Sequence, residues 1–383
     1  VSKMELLNIE CLGKKLRLEA SMAGWQQLFW DNQCVSQRTA STEYEGEFSH
    51  EFELSVANEP LQSELEAEPS SGKNTATPQT IQVKLNINLQ WQPFTVSYQL
   101  LVDGQEQLQG ERNTQDIEKQ QPVETVKEVR KPGLMGLASL GFKLLKSAKV
   151  IKVVLAGASL AAYSWLFSFQ FALALIACLV VHEYGHVRAM KYFGMKTKGF
   201  YLIPFVGGAA LTDEKINTRW QDIVISIMGP TFGLIMSLAC LIGYWVTGNV
   251  FFAALASLSA LLNLFNMLPI LPLDGGHVIK SISFSMNSLA GLLFCIGGAA
   301  LGVVICYYFG LTLFGFLLAI GSIEIVMEWK RRHQSHLLPL DTYGQIFSAV
   351  WYVLTVAGFM AIIWLTADSG DQLLSLPLKI LQS

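Results

Sequence analysis

His182-Glu183-Tyr184-Gly185-His186 closes an apolar run that starts at Phe171 and ends at Val181. On a helix the two histidines stand one turn apart on the same face, so both imidazoles can reach one metal ion. Glu183 lies beside them, where a carboxylate can take a proton from a metal-bound water. Two histidines and a glutamate are costly at the end of a lipid-facing helix unless function holds them there. The pattern is short, and two solvated histidines just past a membrane helix would spell the same letters. A third ligand elsewhere in the chain separates the two cases.

The composition supports a membrane setting. Of 383 residues, 51% are hydrophobic and only 15% charged, and the mean hydropathy is +0.38, values outside the ordinary globular range. Charge is unevenly divided. Residues 1–132 carry 20 acidic and 12 basic side chains, whereas residues 133–383 carry 10 and 15. A water-soluble acidic part therefore precedes an integral membrane part. The formal net charge of −3 gives no reason to expect nucleic acid as a partner. The six cysteines, at 11, 34, 178, 240, 295 and 306, form no CxxC pair and suggest neither a disulfide framework nor a cysteine metal site. Val1-Ser2-Lys3-Met4-Glu5 opens without an apolar run of signal-peptide length, so the soluble part is expected on the cytoplasmic side.

That soluble part reads as β over residues 10–55 and 79–112. Ile81, Val83, Leu85, Ile87, Leu89 and Trp91 alternate with polar residues, the two-residue period of a half-buried strand. Phe94 to Val102 follows in the same manner, and Asp103-Gly104 is a hairpin turn signal. Short antiparallel strands over residues 1–112 predict a small all-β domain, a β-sandwich. Residues 64–78, rich in Glu, Ser, Thr and Pro, read as a disordered insertion. Residues 113–149 read as a linker followed by a basic amphipathic segment with Lys143, Lys146 and Lys149 at helical spacing.

Length and charge parse the remainder into about seven spans, near 150–168, 170–190, 221–246, 250–268, 288–308, 310–327 and 346–366. Basic residues cluster at Lys143–Lys152, Arg188–Lys198, Lys215–Arg219, Lys280 and Lys330–Arg332, and the opposite loops carry none. The positive-inside rule then places the N-terminal domain and the histidine motif at the cytoplasmic face, and the tail 367–383 outside.

The third ligand appears at the end of the fourth span, in Asn266-Met267-Leu268-Pro269-Ile270-Leu271-Pro272-Leu273-Asp274-Gly275-Gly276-His277. The prolines break a helix and the glycines permit a tight turn. Asp274 is then a lone carboxylate in an otherwise uncharged hairpin. Two histidines, one carboxylate and an open fourth position form a catalytic zinc set, because structural sites are usually closed by four protein ligands. His277 is a weaker candidate, since a fourth protein ligand would exclude the water; it is expected beside the ligands or on backbone. Asp222 reads as a charge at a helix N-terminus.

The two motifs together resemble the site-2 protease family of intramembrane zinc metalloproteases, which pairs HExxH with a later N-x2-P-x4-D-G. His182, Glu183 and His186 match the first part, and Asn266, Pro269, Asp274 and Gly275 the second. Gly229-Pro230 and Phe205 to Gly208 also look like the family. The resemblance implies a polytopic α-helical membrane protein with a site-2 protease core over 150–366. It implies one zinc ion per chain on His182, His186 and Asp274, with Glu183 as general base and acid. Asn266 would orient substrate or stabilise the oxyanion. The stretch 199–211 would be a membrane-embedded hairpin that pairs with an extended substrate strand. The expected partners are a transmembrane protein substrate and the lipid bilayer, in a bacterial inner membrane.

The N-terminal part resembles the β-sandwich domain of Fas apoptosis inhibitory molecule proteins, through Leu16 to Glu19, the Leu28 to Asn32 turn and Phe94 to Gly104. That implies an interaction module with a protein ligand and no catalysis of its own. The rival to the protease is a metal-binding membrane scaffold or transporter that cuts nothing. Glu183 argues against a pseudoenzyme, which needs no base, and the single cluster of ionisable residues argues against a transport path.

Overall fold

The computed structural model describes residues 4–39, 44–56, 79–120, 148–166, 168–203, 207–212, 216–270, 273–286, 312–329 and 337–367, with scattered positions between 293 and 308. The chain divides into two compact units, Val1–Ile117 with His333–Leu338, and Glu118–Arg332 with Pro339–Ser383. The expected insertion at 64–78, most of the linker, the span near 288–308 and the tail after 367 lie outside the described residues or largely so.

The first unit holds eight strands: β1 Met4–Cys11, β2 Lys14–Ala20, β3 Gln26–Trp30, β4 Gln33–Arg38, β5 Gly46–Val56, β6 Gln79–Trp91, β7 Phe94–Val102 and β8 Gln105–Asn113. They form two four-stranded sheets in which each strand pairs with its neighbour in sequence. Every pair is antiparallel. The turns explain this simple order. Leu12-Gly13, Asp31-Asn32 and Asp103-Gly104 each place two successive residues at positive φ, the backbone of a two-residue hairpin whose twist matches its strands.

The alternation read in β6 is the burial observed: Val83, Leu85, Ile87, Leu89 and Trp91 are all buried. Strand β1 begins upstream of the expected residue 10. Its alternation is masked by a bulge between Glu5 and Leu7, which lets consecutive Leu6 and Leu7 both face inward. One apolar cluster joins Leu6, Leu16, Leu18 and Leu28 of the first sheet to Leu85 and Leu100 of the second, with Ile117 and Leu338 added. Ile117 belongs to the short helix α1, Thr114–Glu118.

Helices α2 Ala148–Leu166, α3 Phe169–Tyr192, α4 Arg219–Thr247, α5 Val250–Asn266, α6 Asp274–Ser285, α7 Thr312–Trp329 and α8 Thr342–Ala367 make the second unit. Among the described residues, α3, α4 and α8 are long and apolar enough to cross a membrane, and α5 is a shorter apolar helix. Their ends follow the local chemistry. Ser168 caps α3, Asn249 caps α5, and Thr218 closes a reciprocal capping box with Gln221 at the start of α4. Gly248, at φ 67°, ends α4. Between α3 and α4, β9 Thr197–Ile203 and β10 Gly207–Thr212 pair as an antiparallel hairpin. Large apolar side chains such as Trp165, Ile235, Trp245, Val353 and Trp364 stand exposed on the outer faces of the helices, the surface a bilayer covers.

The β unit holds a buried histidine with a measurable consequence. His50 lies between Ser36 Oγ, 3.0 Å from Nδ1, and Gln26 Oε1, 2.9 Å from Nε2. Burial, with Arg38 nearby, lowers its pKa to about 4. The unfolded chain binds this proton near the ordinary value of about 6.5 and the folded chain does not. The unit is therefore fully stable above that value and weakens as pH falls toward 4. The expected loss by pH 4 is on the order of 2–3 kcal/mol. The protection factors of β3 and β5 in the whole chain, with exchange rates corrected for the intrinsic pH dependence of amide exchange, should fall over this window, and His50→Gln should flatten the dependence. An unchanged profile in that variant would assign the effect elsewhere.

Candidate metal centre

The last three turns of helix α3 carry His182, Glu183 and His186, all of them buried. Asp274 arrives from 88 residues downstream of His186 as the first residue of α6, where the helix dipole favours a carboxylate. His182 Nε2 and His186 Nε2 are 3.1 Å apart, and Asp274 Oδ2 lies 3.4 Å from the first and 3.5 Å from the second. Four tetrahedral ligands at zinc distances of ~2.0–2.1 Å stand about 3.3 Å from one another. The three atoms therefore have the spacing of one face of a zinc tetrahedron, and the donor set, two imidazole nitrogens and one carboxylate oxygen, suits that ion.

The far side of each imidazole fixes which nitrogen is offered. His182 Nδ1 lies 2.7 Å from Asn263 Oδ1, and His186 Nδ1 lies 2.7 Å from the Ile225 carbonyl oxygen. Both partners are acceptors, so Nδ1 carries the proton and the Nε2 lone pair faces the shared space. Asn263 is oriented in turn, because its Nδ2 donates to the Ser259 carbonyl at 2.8 Å. Two glycines of α4 leave room for these groups. A Cβ on Gly229 would collide with the His186 ring, and one on Gly233 with the Asn263 amide.

Glu183 Oε1 is 3.9 Å from His182 Nε2, beside the clustered ligands rather than among them. Asn266 ends α5 one turn after Asn263. His277 stands outside the three-residue cluster. Its Nδ1 is 3.3 Å from Asp222 Oδ1, and Ser281 Oγ donates to Asp222 Oδ2 at 2.5 Å. Asp222 sits in the first turn of α4 and is thus also the carboxylate partner of His277. Sequence reasoning passed over Asn263. Its available signal was an amide buried within an apolar helix, one turn before the quoted motif.

Residues 170–250 and 246–290 match the model of Peptidase family M50. The resemblance to the site-2 proteases is borne out. A Synechocystis protein, provisionally named a zinc metalloprotease, is 32% identical over 203 residues, 51% of this chain and 48% of its own length. A zinc metalloprotease of Methanocaldococcus jannaschii is 31% identical over 34% of this chain and 39% of its own. Stage IV sporulation protein FB of Bacillus subtilis is 25% identical over 43% and 60%. The chain thus spans about half the length of the curated relatives it matches. Zinc is the metal that the first two names carry, in agreement with the expected cofactor.

The contact from Asn263 gives a direct test. Asn263→Leu removes the acceptor for His182 and frees the ring to turn. Zinc affinity, measured by competition with a chromophoric chelator, should fall by roughly 10–100-fold, and Gly233→Ala should move it the same way by displacing the amide. Affinity equal to that of the unaltered chain in both variants would remove Asn263 from the site.

Proposed function

We propose that this chain is an intramembrane zinc endopeptidase that hydrolyses peptide bonds in or near a membrane segment of its substrate. The observation that carries the reading is the triangle of His182 Nε2, His186 Nε2 and Asp274 Oδ2, with a buried carboxylate, Glu183, at its margin. A zinc ion held by these three residues would polarise the scissile carbonyl and acidify a water. Glu183 takes the proton of the attacking water and returns it to the leaving amine. Asn266 donates its amide N–H to the developing oxyanion. The β9–β10 hairpin offers backbone groups to an extended substrate, which must unwind before it is cut.

The same reading covers the whole chain. Residues 150–366 are the protease domain, with about seven spans. The two sheets of residues 1–112 pack as a β-sandwich that recruits a protein ligand or regulates cleavage, with no catalysis of its own. Basic residues near the ends of α3 and α4, including Arg188, Lys191 and Lys196, support a cytoplasmic location for the active-site face and the N-terminal domain. Purified protein and a single-span substrate in bilayers test the assignment. Glu183→Gln should keep one zinc per chain while cleavage falls by about 10²–10⁴-fold. Asp274→Ala should lose the metal and the activity together. Full zinc occupancy in Asp274→Ala would sink that ligand, and undiminished cleavage by Glu183→Gln would sink the mechanism.

A further inference from the structure

The turn that carries Asn266 and Asp274 is gripped by helices that lie beyond residues 170–290. Met267, the residue that caps α5, is buried, and its carbonyl oxygen accepts a hydrogen bond from the Tyr352 hydroxyl of α8. The same carbonyl group faces Gly275, the neighbour of Asp274. A Cβ there would collide with Met267 O and Met267 C. Two residues further on, the Pro269 carbonyl lies against Gly321 of α7, again with no room for a Cβ. The far end of α6 is tied to the segment around the start of α8. Ser285 Oγ accepts from the Leu340 N–H at 2.9 Å, and the Ser285 carbonyl accepts from Gln345 Nε2 at 3.1 Å. Trp351, adjacent to Tyr352, donates from Nε1 to Thr231 Oγ1 of α4 at 3.1 Å, which fixes this part of α8 against the histidine-bearing side.

Helix α6 is thus tied to the C-terminal part of the chain directly at its far end, through Ser285. The tie is indirect at its first turn, where Gly275 packs on the Met267 carbonyl that Tyr352 holds. Asp274 is its first residue. The two histidines need no such help, because α3 supplies both and α4 and α5 orient them. Asp274 has a different problem. The described residues just before it, Met267 to Ile270 and Leu273, belong to no regular helix: Ile270 N–H reaches Leu268 O and Leu273 N–H reaches Ile270 O. We infer that Tyr352 and Gly321 are positioning residues for the metal centre, and that α7 and α8 complete it by setting where Asp274 stands relative to the two imidazoles. This deepens the metalloprotease reading and rests on it for the identity of the ion.

Tyr352→Phe removes one hydroxyl and keeps the ring, and Gly321→Val drives a side chain into the Pro269 carbonyl. Two readouts apply to the full chain in detergent or bilayers. Cobalt(II) loaded in place of zinc reports its ligand field in the visible spectrum, and chelator-driven release reports how firmly the third ligand is held. Release should be about tenfold faster in Tyr352→Phe and faster still in Gly321→Val, with an altered cobalt spectrum. The catalytic effect should fall on kcat with KM little changed. Amide exchange across residues 267–277, followed without metal, should quicken in both variants. A destabilised but correctly built site would instead lower the melting temperature and leave the cobalt spectrum alone, and that result would overturn the inference, as would unaltered release and exchange. Loss of metal binding in the unaltered chain would count against the metalloprotease reading, while the metal-free exchange measurement would still decide whether Tyr352 and Gly321 hold the turn.

Discussion

Three side chains with metal-ligating atoms, His182, His186 and Asp274, meet inside an apolar helical unit, and the contacts around them make this tolerable. Buried polar groups are costly unless each is hydrogen-bonded, and buried charges unless they are paired or coordinate a metal. Here every ring nitrogen of the pair has an assigned task. The two Nδ1 positions face Asn263 and the Ile225 carbonyl, and the two Nε2 positions face each other and Asp274. With the rings pinned from behind, neither can rotate to offer the wrong nitrogen. The geometry of the centre is therefore a property of α4 and α5 as much as of the helix that carries the histidines.

Close contact between α3, α4 and α5 follows from that requirement. In a bilayer, lipid tails are as apolar as leucine, so burial alone does little to drive helices together, and packing through small residues takes over. Gly185, inside the histidine motif, lies against the Met228 carbonyl of α4. The next residue of α4, Gly229, lies beneath the His186 ring. The middle positions of the motif are therefore spoken for structurally. Tyr184 is half-exposed and sets its ring edge-on to Phe232 of α4, while Gly185 is the spacer that lets a carbonyl of α4 approach. Pro230 follows within the helix, so the Ser226 carbonyl has no backbone N–H partner four residues on. Thr231 turns its hydroxyl onto the adjacent Ile227 carbonyl at 2.8 Å, which gives this stretch of α4 a local polar contact inside the bundle.

Much of this was legible because it is periodic. The i,i+4 histidines, the two-residue alternation of β6 and the positive-φ turn at Asp103-Gly104 are all local patterns, fixed by residues within one turn or one strand. Other strands were less plain. The β1 bulge puts Leu6 and Leu7 on one face and breaks the alternation a strand reading depends on. Partners separated by long stretches of chain had no such signature. Asn263 reaches His182 across 81 residues and Tyr352 reaches Met267 across 85, and neither spacing leaves a pattern in the letters between. The Ile225 contact uses a backbone carbonyl, which every residue possesses, so no side-chain reading could single it out. Local periodicity says that a face is apolar or that ligands align; it does not say which amide or hydroxyl from another helix will stand behind them.

The β unit makes the same point about its own boundary. Composition and alternation suggest a division near residue 112, but the apolar cluster of that unit also includes Ile117 and Leu338. Leu338 lies far along the chain, after α7, and is fully buried. Leaving such a side chain out of a closed core exposes its contacts and opens a cavity, a cost of about 2–5 kcal/mol for truncation to alanine at comparable sites. That is a large part of what a small domain has to spare. A fragment that stops at residue 112 would keep all eight strands and their turns, short only of Asn113 at the end of β8, but lose these two plugs. The thermodynamic unit is thus larger than the stretch that alternates, and part of it is supplied by chain belonging, in sequence, to the membrane half.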